Sequence, residues 1–485
     1  MEHIYEVIKC AALKNPDNTA LIHKDEDLTF RALLDNAQQI ADFLENQLHV
    51  GLCVGNARNY YISYVAILQS GGAVVPISPN ENPETIAEIL NVTGASVLIT
   101  DREDLINSNG LDNVSILDLF TMRIKKGFGD LRKQDQNNVA VLLRTSGSTG
   151  NSKVVYHKHA SLLWVARAHN ERIGAKPDQR ALIILPLWTS FVHTTQFLAQ
   201  LIIGATTIVL DTPYLPQDVY NYISKYNVDT MGCVPTNLKL FNNIKPNPSQ
   251  VKLLKLMIIA GASINSSDLL EAKRIFTETK LLKAYGLTEA GPRVTCQRPF
   301  EELNDGVGTP LSGISIQIID EIGKSLLPSE VGEICVKGPG LMEGYFNNHQ
   351  ATNEVFLEDG WLKTGDLGTL DDLGQLYILG RKKNVIIVGG NTVYPEELEE
   401  FIFSFNDNIK EVLITGEIDS LLGERISLSI VLINQDLEEE TLKSLRTSLY
   451  EKLPNYKRPK NIEVLSCLPK TENGKIDRKM KVRLE

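Results

Sequence analysis

Cysteine is scarce in this 485-residue chain: six residues, at Cys10, Cys53, Cys233, Cys296, Cys335 and Cys467, lie too far apart for a CxxC metal clasp. A chain this long builds a core without disulfide staples, so all six read as buried free thiols. Missing too is any apolar run of the ~18 residues that a membrane span needs, the longest candidates, such as 201–210, being broken by Gly, Thr or Asp. Positive charge is not in excess, with 49 Lys and Arg against 60 Asp and Glu, which argues against a nucleic-acid surface as the main business. No low-complexity segment and no fixed repeat period is present. The opening MEHIYEVIKCAALKNPDN reads as an amphipathic helix with acidic residues rather than a secretory leader, so a soluble cytoplasmic protein is expected.

What is there is ordinary globular material, 43% hydrophobic and 22% charged, enough for about two to four domains. Through the first 380 residues, helical patterns alternate with short apolar strands across Gly-rich turns, as at 59–79, 85–101, 194–210 and 218–236. That alternation predicts mostly parallel α/β layers. From about Gly306 the pattern changes to short strands with turns, predicting a smaller β subdomain. A compact α+β module follows over 381–485, reading β, helix (PEELEEFIFSF), β, β, helix. Its end is locally basic: residues 453–485 hold nine Lys and Arg against four Asp and Glu, either a solvated tail or a handle for an anion.

Five short runs carry chemistry. In LLRTSGSTGNSKVVYHKH (142–159), Gly147 and Gly150 stand with Thr145, Ser146, Ser148 and Thr149 between apolar strands, and Lys153 follows. Such a loop is either a glycine-serine turn or a cradle whose N–H groups and hydroxyls wrap phosphate oxygens. It is not a GxxxxGK[ST] loop. The others are AYGLTEAGP (284–292), GWLKTGDLG (360–368), YILGRKKNVIIVGGNTVYPEELEE (377–400) and PKTENGKIDRKMK (469–481). Singly these are a capped strand end, a charged turn, a solvated basic turn and a basic tail.

Together, and in this order, the five runs resemble the signatures of the acyl-adenylate-forming (ANL) superfamily: acyl- and aryl-CoA synthetases, peptide-synthetase adenylation domains and beetle luciferases. The resemblance covers essentially the whole chain; Ser152 replaces the usual proline of the first motif. It implies an α/β fold with a large N-terminal domain (1–380) and a small mobile α+β domain (381–485). It further implies that a carboxylic acid and ATP give acyl-AMP and pyrophosphate, and that the acyl group passes to the thiol of coenzyme A or to the phosphopantetheine of a carrier protein.

By the same resemblance, residues 145–150 and Lys153 hold phosphates, Tyr285 with Gly286 lies against the adenine, Thr288 touches the α-phosphate and Glu289 binds Mg²⁺. One carboxylate with phosphate oxygens is a usual way to hold that ion. Asp366 would take both ribose hydroxyls, Arg381 the ribose or phosphates, and Lys475 the reacting carboxylate and α-phosphate. Lys383 stands at the pivot, and Gly389 and Gly390 would line the thiol's path. The acid pocket is expected from Trp188, Thr189, Ser190, Gly261 and Ala262; His193 is either a packed core histidine or part of that pocket. Ser190 stands where amino-acid-activating members carry Asp, and a neutral hydroxyl cannot offset a buried ammonium, so an aryl or aliphatic acid is expected. GGNTVYPEELE is closer to CoA-ligase forms than to peptide-synthetase ones.

Overall fold

The computed structural model describes residues 2–44, 49–106, 108–125, 138–145, 153–262, 264, 266–403, 405, 406, 408–469, 476 and 478. The helix-glycine-strand units foreseen in the sequence are present. Asn56 caps the helix Ala57–Gln69 by accepting from Asn59 N–H; Gly71, at φ +76°, turns the chain into the strand Ala73–Pro76. The next unit repeats the device: Asn82 caps Pro83–Thr93, proline opens the helix, and left-handed Gly94 leads to Val97–Thr100.

These units build two large sheets. One has nine strands, and six run parallel at its centre, in the order Lys280–Tyr285, Leu256–Ile259, Thr230–Cys233, Arg180–Ile183, Thr206–Val209 and Thr19–His23. The other has eight, with a parallel centre of Val139–Arg144, Ala73–Pro76, His49–Cys53, Val97–Thr100 and Ser115–Asp118. Helix Ala57–Gln69 buries ten of its residues, including Tyr60, Tyr61 and Tyr64, in a core that draws side chains from strands of both sheets. A helix apolar all round is one packed on every side.

The β subdomain is a four-stranded antiparallel sheet, Ser315–Ile319, Gly332–Lys337, Leu362–Leu370 and Leu376–Arg381. It ends at Arg381; after the short turn Lys382–Asn384, a separate five-stranded sheet begins at Ile386 with its own core of Ile386, Val412, Leu428, Leu445 and their neighbours. Residues 386–394 form a hairpin rather than one strand: Ile386–Val388 pairs with Asn391–Val393, and Gly389 and Gly390, at φ +56° and +80°, make its two-residue turn. Two successive positive φ angles are what such a turn demands and what glycine supplies. The C-terminal unit touches the larger body at Lys239, whose ammonium donates to the Lys410 carbonyl of its sheet at 2.9 Å, and at Ser266, which donates to Glu400 of its helix Pro395–Phe403 at 3.3 Å.

The cysteine expectation needs correction: Cys53, Cys233, Cys296 and Cys335 are buried, but Cys10 and Cys467 are exposed. Cys10 lies on the amphipathic helix Ile4–Lys14, whose buried residues are Ile4, Ile8 and Ala12. Among the described residues no helix is long and apolar enough to cross a membrane.

Candidate active site

Three of the candidate segments leave the C-terminal ends of parallel strands, where open α/β sheets keep their ligand crevice. Thr145 follows Val139–Arg144, Gly261 and Ala262 follow Leu256–Ile259, and Tyr285 ends Lys280–Tyr285. Thr145 N–H donates to the Lys153 carbonyl at 2.9 Å, closing the neck of the first motif. Ser146, Gly147, Ser148, Thr149 and Gly150 lie outside the described residues, as does Lys475.

After Tyr285 the chain doubles back. Gly286 is obligatory there, because the Pro292 carbonyl fills the place of a Cβ, and Val294 N–H returns to the Tyr285 carbonyl at 2.9 Å. The turn Thr288–Ala290 sits in this bend. His157 Nε2 donates to the Thr288 carbonyl at 2.7 Å, and the Thr288 hydroxyl lies 2.9 Å from Ser190 Oγ, bringing the second motif to the expected acid segment. Glu289 accepts from the Tyr345 hydroxyl at 2.9 Å, and the Lys153 ammonium lies 4.4 Å from the centre of that tyrosine ring. Cation, ring and carboxylate thus form one line, with the ring face favouring the ammonium.

Asp366 is held in mid-strand, directly opposite Arg381 in the register of Leu362–Leu370 with Leu376–Arg381. One of its oxygens accepts from the Tyr285 hydroxyl at 2.6 Å, and the other forms an ion pair with Arg381, 2.7 Å from its Nε. Burial raises its carboxyl pKa above the usual carboxylate value, against the opposing pull of Arg381 and the Tyr285 hydrogen bond. Burial also drives the Tyr285 hydroxyl well up, and the neighbouring Asp366 charge adds to it, so the phenol stays a donor. Beyond the strand, Lys382 pairs with Glu333 at 2.7 Å and Asn384 donates to Glu396 at 2.6 Å, fixing both sides of the turn that contains Lys383.

The acid-pocket candidates do not all gather. Trp188 and Ser190 are partly buried, whereas Thr189, Gly261 and Ala262 are exposed. His193 takes the first of its two readings: it is fully buried in the core, with Nε2 2.9 Å from the Tyr64 hydroxyl, inside a π-helical stretch His193–Leu198 that sequence periodicity does not reveal. Tyr345 and Glu333 were missed, since each comes from far along the chain and sits in no motif; His157 was passed over inside the first motif, whose presence was the available signal.

Several histidines are buried uncharged. Burial lowers His157 and His159 to about 4 and His193 to about 3. Between an ordinary value of about 6.5 and about 4 the unfolded chain therefore binds protons that the folded chain refuses. Stability is full above that window and falls as pH drops through it, by about 1.4 kcal/mol per pH unit for each such histidine. Urea midpoints measured from about pH 7.5 to about pH 4.5 should fall accordingly, and His193→Gln should make the decline shallower by one histidine's share. A flat profile would contradict this reading.

Among the described residues no group of three or more His, Cys, Asp or Glu side chains could hold a metal by itself. The donors fit Mg²⁺ delivered with a nucleotide: the Glu289 carboxylate, half-buried with the Thr288 hydroxyl next to it, offers hard oxygen and leaves other positions to phosphate and water.

A layered α/β body followed by a separate α+β unit, with a crevice that gathers hydroxyls, a carboxylate pair and two cations, defines a nucleotide-dependent enzyme. Residues 8–346 match the model of the AMP-binding enzyme family and residues 397–475 that of the AMP-binding enzyme C-terminal domain. The chain belongs to the AMP-binding enzyme family. It is 28% identical to the long-chain-fatty-acid–CoA ligase of Haemophilus influenzae, over 99% of this chain and 94% of that protein. To the 2-succinylbenzoate–CoA ligase of Enterococcus faecalis it is 27% identical, over 96% and 95%. Among solved structures it resembles o-succinylbenzoate CoA synthetase from Bacillus subtilis. The complex of that enzyme with the acyl-adenylate intermediate OSB-AMP matches at TM-score 0.85 and 26% identity, covering 99% of this chain and 98% of that one. Its complex with ATP and magnesium ion matches at TM-score 0.84 and 25% identity, covering 98% of each.

Proposed function

We propose that the chain is an AMP-forming acid–thiol ligase that activates an aryl or aliphatic carboxylic acid with ATP and transfers the acyl group to coenzyme A. The observation that carries this reading is the joining of Ser190 to Thr288 at 2.9 Å, next to the Glu289–Tyr345 and Tyr285–Asp366–Arg381 contacts. It puts a neutral acid-side hydroxyl against the nucleotide-side residues. The curated relatives being CoA ligases supports CoA as acceptor over a carrier protein.

Carboxylate and ATP are both anions, so attack on the α-phosphorus needs alignment and charge neutralisation more than an acid or base. Thr145, the 146–150 loop and Lys153 hold the phosphates, with Tyr285 and Gly286 against the base. Asp366 exchanges its Arg381 contact for the ribose hydroxyls, which frees the guanidinium for ribose or phosphate oxygen. Thr288 donates to the α-phosphate. Glu289 would hold Mg²⁺, which when bound offsets phosphate charge. Lys475 brings the final cation to the reacting oxygens, where charge develops. Pyrophosphate leaves, and acyl-AMP remains.

The thiol then needs the space that Lys475 occupied. We assign residues 1–380 to a static domain and 381–485 to one that turns about Lys383, withdrawing the lysine and bringing Gly389 and Gly390 beside the pantetheine arm. Lys383→Pro limits the φ change a pivot needs. It should leave acyl-AMP formation near wild type and slow thioester formation about tenfold or more, as read by single-turnover assays of each half-reaction. Equal loss of both would refute the pivot.

Pyrophosphate exchange with a panel of acids tests the first step. Adding CoA, or a phosphopantetheinylated carrier protein, in turn identifies the acceptor; thioester on the carrier alone would replace CoA in this reading. A protein that consumes ATP and CoA is placed in the cytoplasm.

A further inference from the structure

Arg293 heads the fully buried large side chains, at 1% exposure, yet among the described residues no carboxylate pairs with it. Its Nη2 donates to Thr195 Oγ at 3.3 Å, while Nε and Nη1 have no partner. The guanidinium carbon lies 5.1 Å from the centre of the Phe191 ring. Its titratable neighbours supply no counter-charge: burial holds the Cys296 thiol up and protonated, and burial holds His169 down and neutral. A buried cation is costly unless something pairs with it.

Other orphaned polar atoms lie beside it. Both amide atoms of Gln196 and Nδ1 of His169 are buried without partners. With Thr195, Gly232 and Ile258 they line a small internal cavity. Gly232 leaves room for the amide, since a Cβ there would lie 2.5 Å from Gln196 Nε2. The cluster also has a direction. Arg293 leaves the loop that carries Thr288, and Phe191, Thr195 and Gln196 follow Ser190, the residue that meets Thr288. The polar atoms therefore continue inward from the reaction centre on the acid's side.

We propose that this cluster is the distal subsite of the acid pocket and that the activated acid carries a second carboxylate, which pairs with Arg293 while Gln196 and Thr195 hydrogen-bond around it. Each open nitrogen, taken with the second N–H of Nη2, makes a fork that suits a planar carboxylate. The inference rests on the ligase reading given above.

The test compares α,ω-dicarboxylates and carboxy-substituted benzoates, each with its own half methyl ester, in pyrophosphate exchange. For at least one diacid, kcat/KM should exceed that of the half ester by about 100-fold or more, because the ester leaves the buried cation unpaired. Arg293→Met should abolish this ratio and Arg293→Lys should keep part of it. Half esters used as well as every diacid, or a ratio that survives Arg293→Met, would overturn the proposal. Should Arg293→Met fail to fold, Gln196→Leu serves: the ratio should fall about tenfold, and an unchanged ratio counts against the subsite. Calorimetric titration of the same acids into the intact protein separates the two claims. Diacid binding that Arg293→Met removes, without any exchange activity, upholds the subsite while the ligase reading fails. Equal binding of diacid and half ester, or binding of neither, overturns the subsite.

Discussion

Replacing Lys475 by alanine should slow acyl-AMP formation by about 100- to 1000-fold, the usual effect of deleting one preorganised charge stabiliser at the place where charge develops. Thioester formation from supplied acyl-AMP should stay near the wild-type rate, because the lysine is withdrawn for that step. The reason to expect so local an effect lies in how the tail is held. Arg478 makes a two-pronged contact with Glu399 at 2.6 and 2.5 Å and donates to the Ile414 carbonyl at 3.0 Å, while Ile476 packs against Leu413, Val431 and Leu468. These anchors on either side of residue 477 tie the end of the chain to the C-terminal sheet and do not involve residue 475, so the unit should stay folded in the variant, and in the proposed turn about Lys383 residue 475 belongs to the moving unit. Pyrophosphate exchange at full speed in the variant would refute the assignment.

Asp366→Ala should lower kcat/KM for ATP by about 100-fold or more, on the order of 3 kcal/mol, because it removes a buried acceptor and leaves Arg381 without its partner. The same carboxylate sets a pH dependence. Its binding form is the anion, and burial raises its pKa above the ordinary carboxylate value. Affinity for ATP is then present above that raised pKa and lost as pH falls through it, at a higher pH than an unperturbed aspartate would give. Isothermal titration of ATP against pH, in wild type and Asp366→Asn, reads both effects. An unchanged affinity in the variant would remove Asp366 from the nucleotide site.

Local devices were legible in the sequence because they are written within a few residues. Asn82-Pro83 opens a helix and Gly94 closes it, and the fold follows those marks. The residues of the second to fourth motifs are likewise near each other in space, as Tyr285, Asp366 and Arg381 demonstrate. What could not be read is pairing over distance. That Asp366 faces Arg381 follows from the register of two strands, and that Tyr345 reaches Glu289 follows from the bend after residue 286. Sequence alone left His193 between core and acid pocket, and a π-helical stretch carries it into the core beside Tyr64. Arg293 stood one residue beyond AYGLTEAGP and carried no sign of burial, since arginine is ordinarily exposed.

The central claim is that an oxygen of the acid attacks the α-phosphorus of ATP. Mass spectrometry of the AMP released when an acid labelled with oxygen-18 in its carboxylate is turned over with ATP, Mg²⁺ and CoA tests it most directly. One labelled oxygen in AMP is predicted. Unlabelled AMP, or label appearing in inorganic phosphate together with ADP, would contradict it.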